Sequence, residues 1–111
     1  SNVGNFEYEY DVVTRADRIY ADNWQAVIHR KNQTAAKMYL EGLLTDEDLY
    51  AEIGEVINGK KDGRRDPSEI LFFSPIGMGI EDIIVAGQIY RNAREKGLGT
   101  ELLLWDEPSW V

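Results

Sequence analysis

The chain has 111 residues, no cysteine, and 12 basic against 20 acidic side chains, for a formal net charge of -8. That length allows one domain with a modest core, and the missing thiols exclude disulfides and thiolate metal sites and fit the cytoplasm. So acidic a surface repels phosphate backbones, so nucleic acid is not expected as a partner; no apolar run reads as a membrane span or an export leader, and the single histidine, His29, leaves no multi-histidine zinc site.

Residues 1–5 read as a strand end and turn with no strand before it. Residues 8–13 begin a short helix running through Arg15 or form an extended piece, and residues 17–22 read as a short strand bounded by charges. Trp24, Val27 and Ile28 have helical spacing, Lys31-Asn32-Gln33 breaks it, and residues 34–41 resume it before Gly42 ends the helix. Thr45 followed by Asp46, Glu47 and Asp48 has the chemistry of a helix start, with a capping hydroxyl and acidic residues at the positive end of the dipole. Leu49, Ile53, Val56 and Ile57 then form one apolar stripe, which predicts a single helix ending at Gly59. Residues 60–67 are a loop whose Lys60-Lys61-Asp62-Gly63-Arg64-Arg65 is the one concentrated basic stretch, either a solvated loop or an anion contact.

Ile70-Leu71-Phe72-Phe73 is a continuous apolar run between Pro67 and Pro75, the pattern of a strand covered on both faces in a parallel sheet. After the glycine-rich stretch 74–79, residues 80–96 are helical and apolar on more than one face, which implies burial against two neighbours. Gly97 and Gly99 end that helix, and Leu102-Leu103-Leu104-Trp105 is a last strand or a docking tail. Alternation of this kind predicts the α/β class, a parallel sheet with flanking helices. Two or three strands and a long helix short of partners look like part of a larger architecture.

The most informative turn is Ser74-Pro75-Ile76-Gly77, where a buried strand ends and a helix begins. Ligands of open α/β sheets bind at that edge, and Gly77 and Gly79 allow close backbone approach while helix-start amides offer donors; a turn that merely needs glycine has the same pattern. Glu81-Asp82 complements the helix dipole or supplies a general base. His29-Arg30 suits a helix C-terminus, and Tyr8, Tyr10, Tyr20 and Trp24 read as core rather than as a stacking platform. Gly77-Met78-Gly79 has only the first spacing of a dinucleotide fingerprint, so no pyrophosphate cradle is evident.

Three stretches carry a resemblance: Ala-Glu-Ile-Gly-Glu-Val-Ile-Asn-Gly-Lys-Lys-Asp-Gly-Arg at 51–64, Glu-Ile-Leu-Phe-Phe-Ser-Pro-Ile-Gly at 69–77, and Ile80-Glu81-Asp82. In that order and separation they resemble the ornithine cyclodeaminase/mu-crystallin family, and the stretch from Gly4 to Trp24 fits more loosely. The resemblance implies a partial Rossmann-like parallel sheet within an NAD(P)-binding domain, joined to a substrate and dimerisation domain, in a homodimer. It implies hydride transfer between NAD or NADP and an amino or imino acid, as in ornithine cyclodeamination to proline, alanine dehydrogenation or ketimine reduction. Residues 1–79 would be the later half of the nucleotide domain, and 80–111 a helix and tail returning toward the substrate domain. The glycine fingerprint and the lysine and arginine that hold the substrate carboxylate belong to an earlier part, so this chain alone is expected to be inactive. Carried over by position, Ser74, Ile76 and Gly77 match the family's serine–glycine turn near the nicotinamide, and Gly4 and Asn5 match the start of a second loop lining the same crevice. In many members that loop carries an aspartate base two residues after the glycine; Phe6 stands there, after Asn5, and the aspartate has no counterpart. The alternative is a free-standing, non-catalytic acidic α/β module that binds a ligand or a partner.

Overall fold

The computed structural model describes residues 5–103, 105 and 106. The chain divides into two compact units, one reaching Met78 and one beginning at Gly79. In the first, helix α1 (Tyr10–Thr14) leads into strand β1 (Arg18–Ala21), followed by α2 (Trp24–Arg30) and α3 (Thr34–Leu40). A 3₁₀ turn (Asp46–Asp48), strand β2 (Leu49–Glu52), helix α4 (Ile53–Ile57) and strand β3 (Leu71–Ser74) complete it. The three strands form one parallel sheet in the order β2-β1-β3. The sheet with its flanking helices is the α/β arrangement that the alternation of elements predicts.

β1 is buried at all four residues because a strand lies on each side of it and both of its faces are covered. Ile19, Ala21 and Phe72 face Val13, Trp24, Val27 and Met38, so α1, α2 and α3 cover one face of the sheet. Gly42, at φ 74, lets the chain turn back at the end of α3, with Leu43 N donating to the Met38 carbonyl at 2.8 Å.

The other face is held differently. Arg18 packs over the Tyr50 ring at 4.8 Å, donates to the Gly63 carbonyl at 2.9 Å and pairs with Glu69, while the Tyr20 hydroxyl donates to the Asp62 carbonyl at 2.9 Å. These bonds draw the loop between α4 and β3 onto the sheet. Its basic stretch is spent largely inside the chain: Lys61 sits 5.2 Å from the Tyr50 ring centre, Arg64 donates to the Glu69 carbonyl, and Arg65 lies 3.6 Å from the Glu69 carboxylate. The Arg65 amide and the Arg18 guanidinium hold the Glu69 carboxyl below the usual carboxylate range.

Two expectations need correction. The single helix read from Thr45 to Gly59 is instead a 3₁₀ turn, a strand and a short helix. Thr45 and Asp48 do form a capping box, with Thr45 N 2.7 Å from Asp48 Oδ2, but they cap only one turn. Residues 49–52 are claimed by the free edge of β1, a pairing that helical spacing cannot reveal. The continuous apolar run of β3 also meets a one-sided environment, because Phe72 and Ser74 are buried while Leu71 and Phe73 are half-buried.

The second unit holds α5 (Gly79–Glu95), which closes with Leu98 N on the Ala93 carbonyl at 2.8 Å. None of its residues is buried, and Ile80, Ile83, Ile84 and Ile89 are 62% to 73% exposed. Within this unit, then, the apolar faces read from its sequence are present and nothing among its described residues covers them. Residues 101–103 and Trp105 have no regular structure, and Leu104 lies outside the described residues.

Candidate functional site at the carboxyl edge of the sheet

Ala21 lies level with Ser74 on one side and Glu52 on the other, so the three parallel strands end together. The loops leaving such an edge are where open α/β sheets hold ligands. Asp22, directly after β1, is only 5% exposed. Its carboxylate accepts from Asn23 N at 2.7 Å, from Ile76 N at 2.9 and 3.0 Å, and from Gly77 N at 2.7 Å. The end of β1 thus grips the turn that follows β3.

Gln33 grips the same turn from the helical side. Its Nε2 donates to the Pro75 carbonyl at 2.8 Å, and its Oε1 accepts from Ser74 Oγ at 3.1 Å. Arg30, in the last turn of α2, donates to the Ile76 carbonyl at 3.2 Å. Every backbone donor or acceptor from the Pro75 carbonyl to the Gly77 amide is therefore taken, and Gly77 at φ 78 completes the bend in a region that side-chain-bearing residues rarely enter. Asn32, the neighbour of Gln33, donates from Nδ2 to Asn5 Oδ1 at 2.9 Å. Two consecutive residues at the α2–α3 junction thus hold the two loops that the family resemblance placed at one crevice.

The residues singled out from sequence fall into distinct environments. Ser74 is fully buried with its hydroxyl committed to Gln33, Ile76 is half-buried, Gly77 and Asn5 are exposed, and Gly4 lies outside the described residues. Within the turn, the Asp22 carboxylate occupies the amides of Ile76 and Gly77. The first turn of α2 is likewise satisfied internally, by Glu52 on Trp24 N at 2.8 Å and Asn23 on Ala26 N at 2.8 Å. Glu81 and Asp82 sit in the first turn of α5, where the dipole favours them. His29 is exposed and, with Gln25, Ala26, Arg30 and Ile76, lines a shallow open hollow beside the turn. Among the described residues no cluster of histidine and carboxylate side chains is placed to hold a metal ion, and no helix is long and apolar enough to cross a membrane.

Sequence reasoning passed over Asp22, Arg30, Asn32 and Gln33 as site-builders. The available signals were a carboxylate set immediately after an apolar strand, and two adjacent amides in a break between helices.

The family model of the ornithine cyclodeaminase/mu-crystallin family matches residues 1–97. N-((2S)-2-amino-2-carboxyethyl)-L-glutamate dehydrogenase of Staphylococcus aureus is 36% identical over 95% of this chain and 31% of its own length. An archaeal alanine dehydrogenase dimer solved with bound NAD superposes with a TM-score of 0.69 at 30% identity, covering 94% of this chain and 32% of that one. The Thermococcus litoralis Δ1-pyrroline-2-carboxylate reductase, solved with NADH and L-proline, gives a TM-score of 0.70 at 29% identity, covering 87% of this chain and 29% of that one. The chain thus spans about a third of the length of the relatives it matches. With that coverage by the family model, and with the parallel sheet shared with nicotinamide-binding relatives, the chain belongs to the ornithine cyclodeaminase/mu-crystallin family.

Proposed function

We propose that this chain is the part of an NAD(P)-dependent dehydrogenase or reductase that meets the nicotinamide end of the cofactor, in an enzyme acting on an amino or imino acid. The observation that carries the reading is the fixed 74–77 turn at the carboxyl edge of the sheet, with Ile76 and Gly77 at its tip. These residues fit a flat, neutral ring: Ile76 offers apolar surface, Gly77 allows close approach, and Asn32 Oδ1 is a buried acceptor with no donor among the described residues. They do not fit a pyrophosphate, because the amides that would cradle it are bonded internally. The cradle, and the groups that hold the substrate carboxylate, are assigned to the part of the relatives' length that this chain does not span.

The nicotinamide, when bound, supplies the hydride acceptor or donor, since amino and imino acid differ by a hydride and a proton. Gln33, Arg30 and Asp22 keep the turn in place, and Ile76 excludes water from that side. Asn5, held by Asn32, is an amide and orients a polar group without acting as a base. Neither Asn5 nor Phe6 replaces the aspartate that the resemblance associates with a base. This favours oxidation or imine reduction over ornithine cyclodeamination, in keeping with the dehydrogenase and reductase names of the relatives. The choice between NAD and NADP rests with residues outside this chain, and a homodimer is proposed by analogy with the dimeric alanine dehydrogenase.

Fluorescence titration of the native gene product that carries this chain, with NADH and NADPH, tests the reading. Binding of one dinucleotide is the expected result, followed by its oxidation with a cyclic imino acid or, starting from its oxidised form, its reduction with an amino acid. The 111-residue chain alone is expected to bind weakly or not at all. A native product that binds neither dinucleotide overturns the proposal and leaves the non-catalytic module as the better description.

A further inference from the structure

We infer that Asp22 is a positioning residue for the nicotinamide end of the site, an internal anion that holds the 74–77 turn in its ligand-facing shape and denies its amides to any other anion. The inference rests on the nicotinamide reading above and goes beyond it. Three backbone amides converge on a carboxylate that is 5% exposed, and no ion pair among the described residues includes Asp22. Among the described residues its charge is balanced by main-chain dipoles, an arrangement that binds strongly and is sensitive to geometry. Adjacent amides aimed at one point are the usual means of holding a phosphate or a carboxylate. Here that pair, at Ile76 and Gly77, is filled from within, so the turn presents apolar and neutral surface to whatever enters the edge.

The bonds also span the fold in a way that serves the edge more than the core. They join the first residue after β1 to the residues after β3, outside the strand ladder, while Gln33 and Arg30 hold the intervening carbonyls. Asp22→Asn keeps the size of the side chain but replaces one oxygen by an NH₂ that points its hydrogens at an amide. In either orientation Ile76 N loses one of its two acceptors, and with the NH₂ in place of Oδ2 Gly77 N loses its acceptor outright, so the tip formed by Ile76 and Gly77 moves.

The test uses the native gene product and two probes: the reduced dinucleotide it binds, and the matching ADP-ribose, which lacks the nicotinamide. Asp22→Asn is expected to weaken dinucleotide binding about tenfold, the scale of one charge-assisted hydrogen bond, with ADP-ribose binding unchanged. It is also expected to lower kcat more than it raises KM for the second substrate. Gly77→Ala is the second variant: an added Cβ meets nothing within 4 Å, yet φ 78 strains it, so the turn shifts without a core defect. The same selective loss is expected. Equal weakening of both probes, or of neither, in the variant that folds overturns the inference while leaving the nicotinamide reading intact. A wild-type protein that binds ADP-ribose no more weakly than the dinucleotide overturns the nicotinamide reading and this inference with it.

Discussion

Gln33→Met isolates the join between the helical layer and the end of β3. Gln33 is fully buried, and its amide serves the Pro75 carbonyl at 2.8 Å and the Ser74 hydroxyl at 3.1 Å. Methionine is unbranched and of similar length, so it fills the space without making either bond. The Ser74 hydroxyl, fully buried, loses its acceptor, at a cost of about 2 kcal/mol. Pro75 is half-buried and its carbonyl regains some water, which sets its loss near 1 kcal/mol. The expected destabilisation is therefore about 3 kcal/mol, large against a stability of roughly 5–15 kcal/mol for a small domain. Ser74→Ala alone leaves Gln33 Oε1 without that donor and is expected to cost about 1–2 kcal/mol. The double variant removes both ends of the bond together, so its cost should fall short of the sum by about 1 kcal/mol. Urea denaturation of the 111-residue chain followed by tryptophan fluorescence gives all four corners of the cycle. Additivity to within about 0.3 kcal/mol, or a Gln33→Met cost below about 1 kcal/mol, refutes the reasoning that this bond ties the turn to the helices.

The same denaturation assay separates the two units: Met38→Ala, at a site 1% exposed, is expected to cost about 2–5 kcal/mol. Ile83→Ala on α5, 73% exposed, is expected to change stability by no more than about 0.5 kcal/mol. The uncovered apolar face of α5 should make the isolated chain self-associate with rising concentration in sedimentation velocity, and Ile83→Lys should suppress it; a strictly monomeric wild-type chain argues against this. Stability should also fall in acid. Glu69, bonded to the Arg65 amide and to Arg18, and Asp66, bonded to the Ser68 hydroxyl and amide, both have carboxyls lowered from their ordinary values. In the window below the unfolded values, near about 4, the unfolded chain binds more protons, so their contribution is full above that window and is lost as pH falls through the folded values. Urea midpoints from neutral pH downward should show the loss, and Glu69→Gln should flatten it; an unchanged acid limb in that variant counts against the assignment.

Much of the architecture was legible in the chain itself, because local signals and final structure agree there. The stretch read as a strand at 17–22, the spacing of Trp24, Val27 and Ile28, the stop at Gly42, the apolar run before Pro75 and the long α5 pattern each produced the expected element. The order and separation of the motifs at 51–64, 69–77 and 80–82 also carried the resemblance to its family, and the 74–77 turn stood out because glycine at a strand end is a local signal.

Tertiary structure decided the rest, for reasons that sequence spacing does not encode. Residues 49–52 became a strand because the edge of β1 offered backbone partners, which outweighed a stripe that also suits a helix. Asp22, Asn32 and Gln33 acquired their roles only when β1, the α2–α3 junction and the turn after β3 were brought to one edge of the sheet. A carboxylate and two amides carry no periodic signature, and their partners are backbone groups and side chains far along the chain. The sequence marked a glycine turn at a strand end, while the fold determined that its amides at Ile76 and Gly77 are occupied by the chain's own carboxylate.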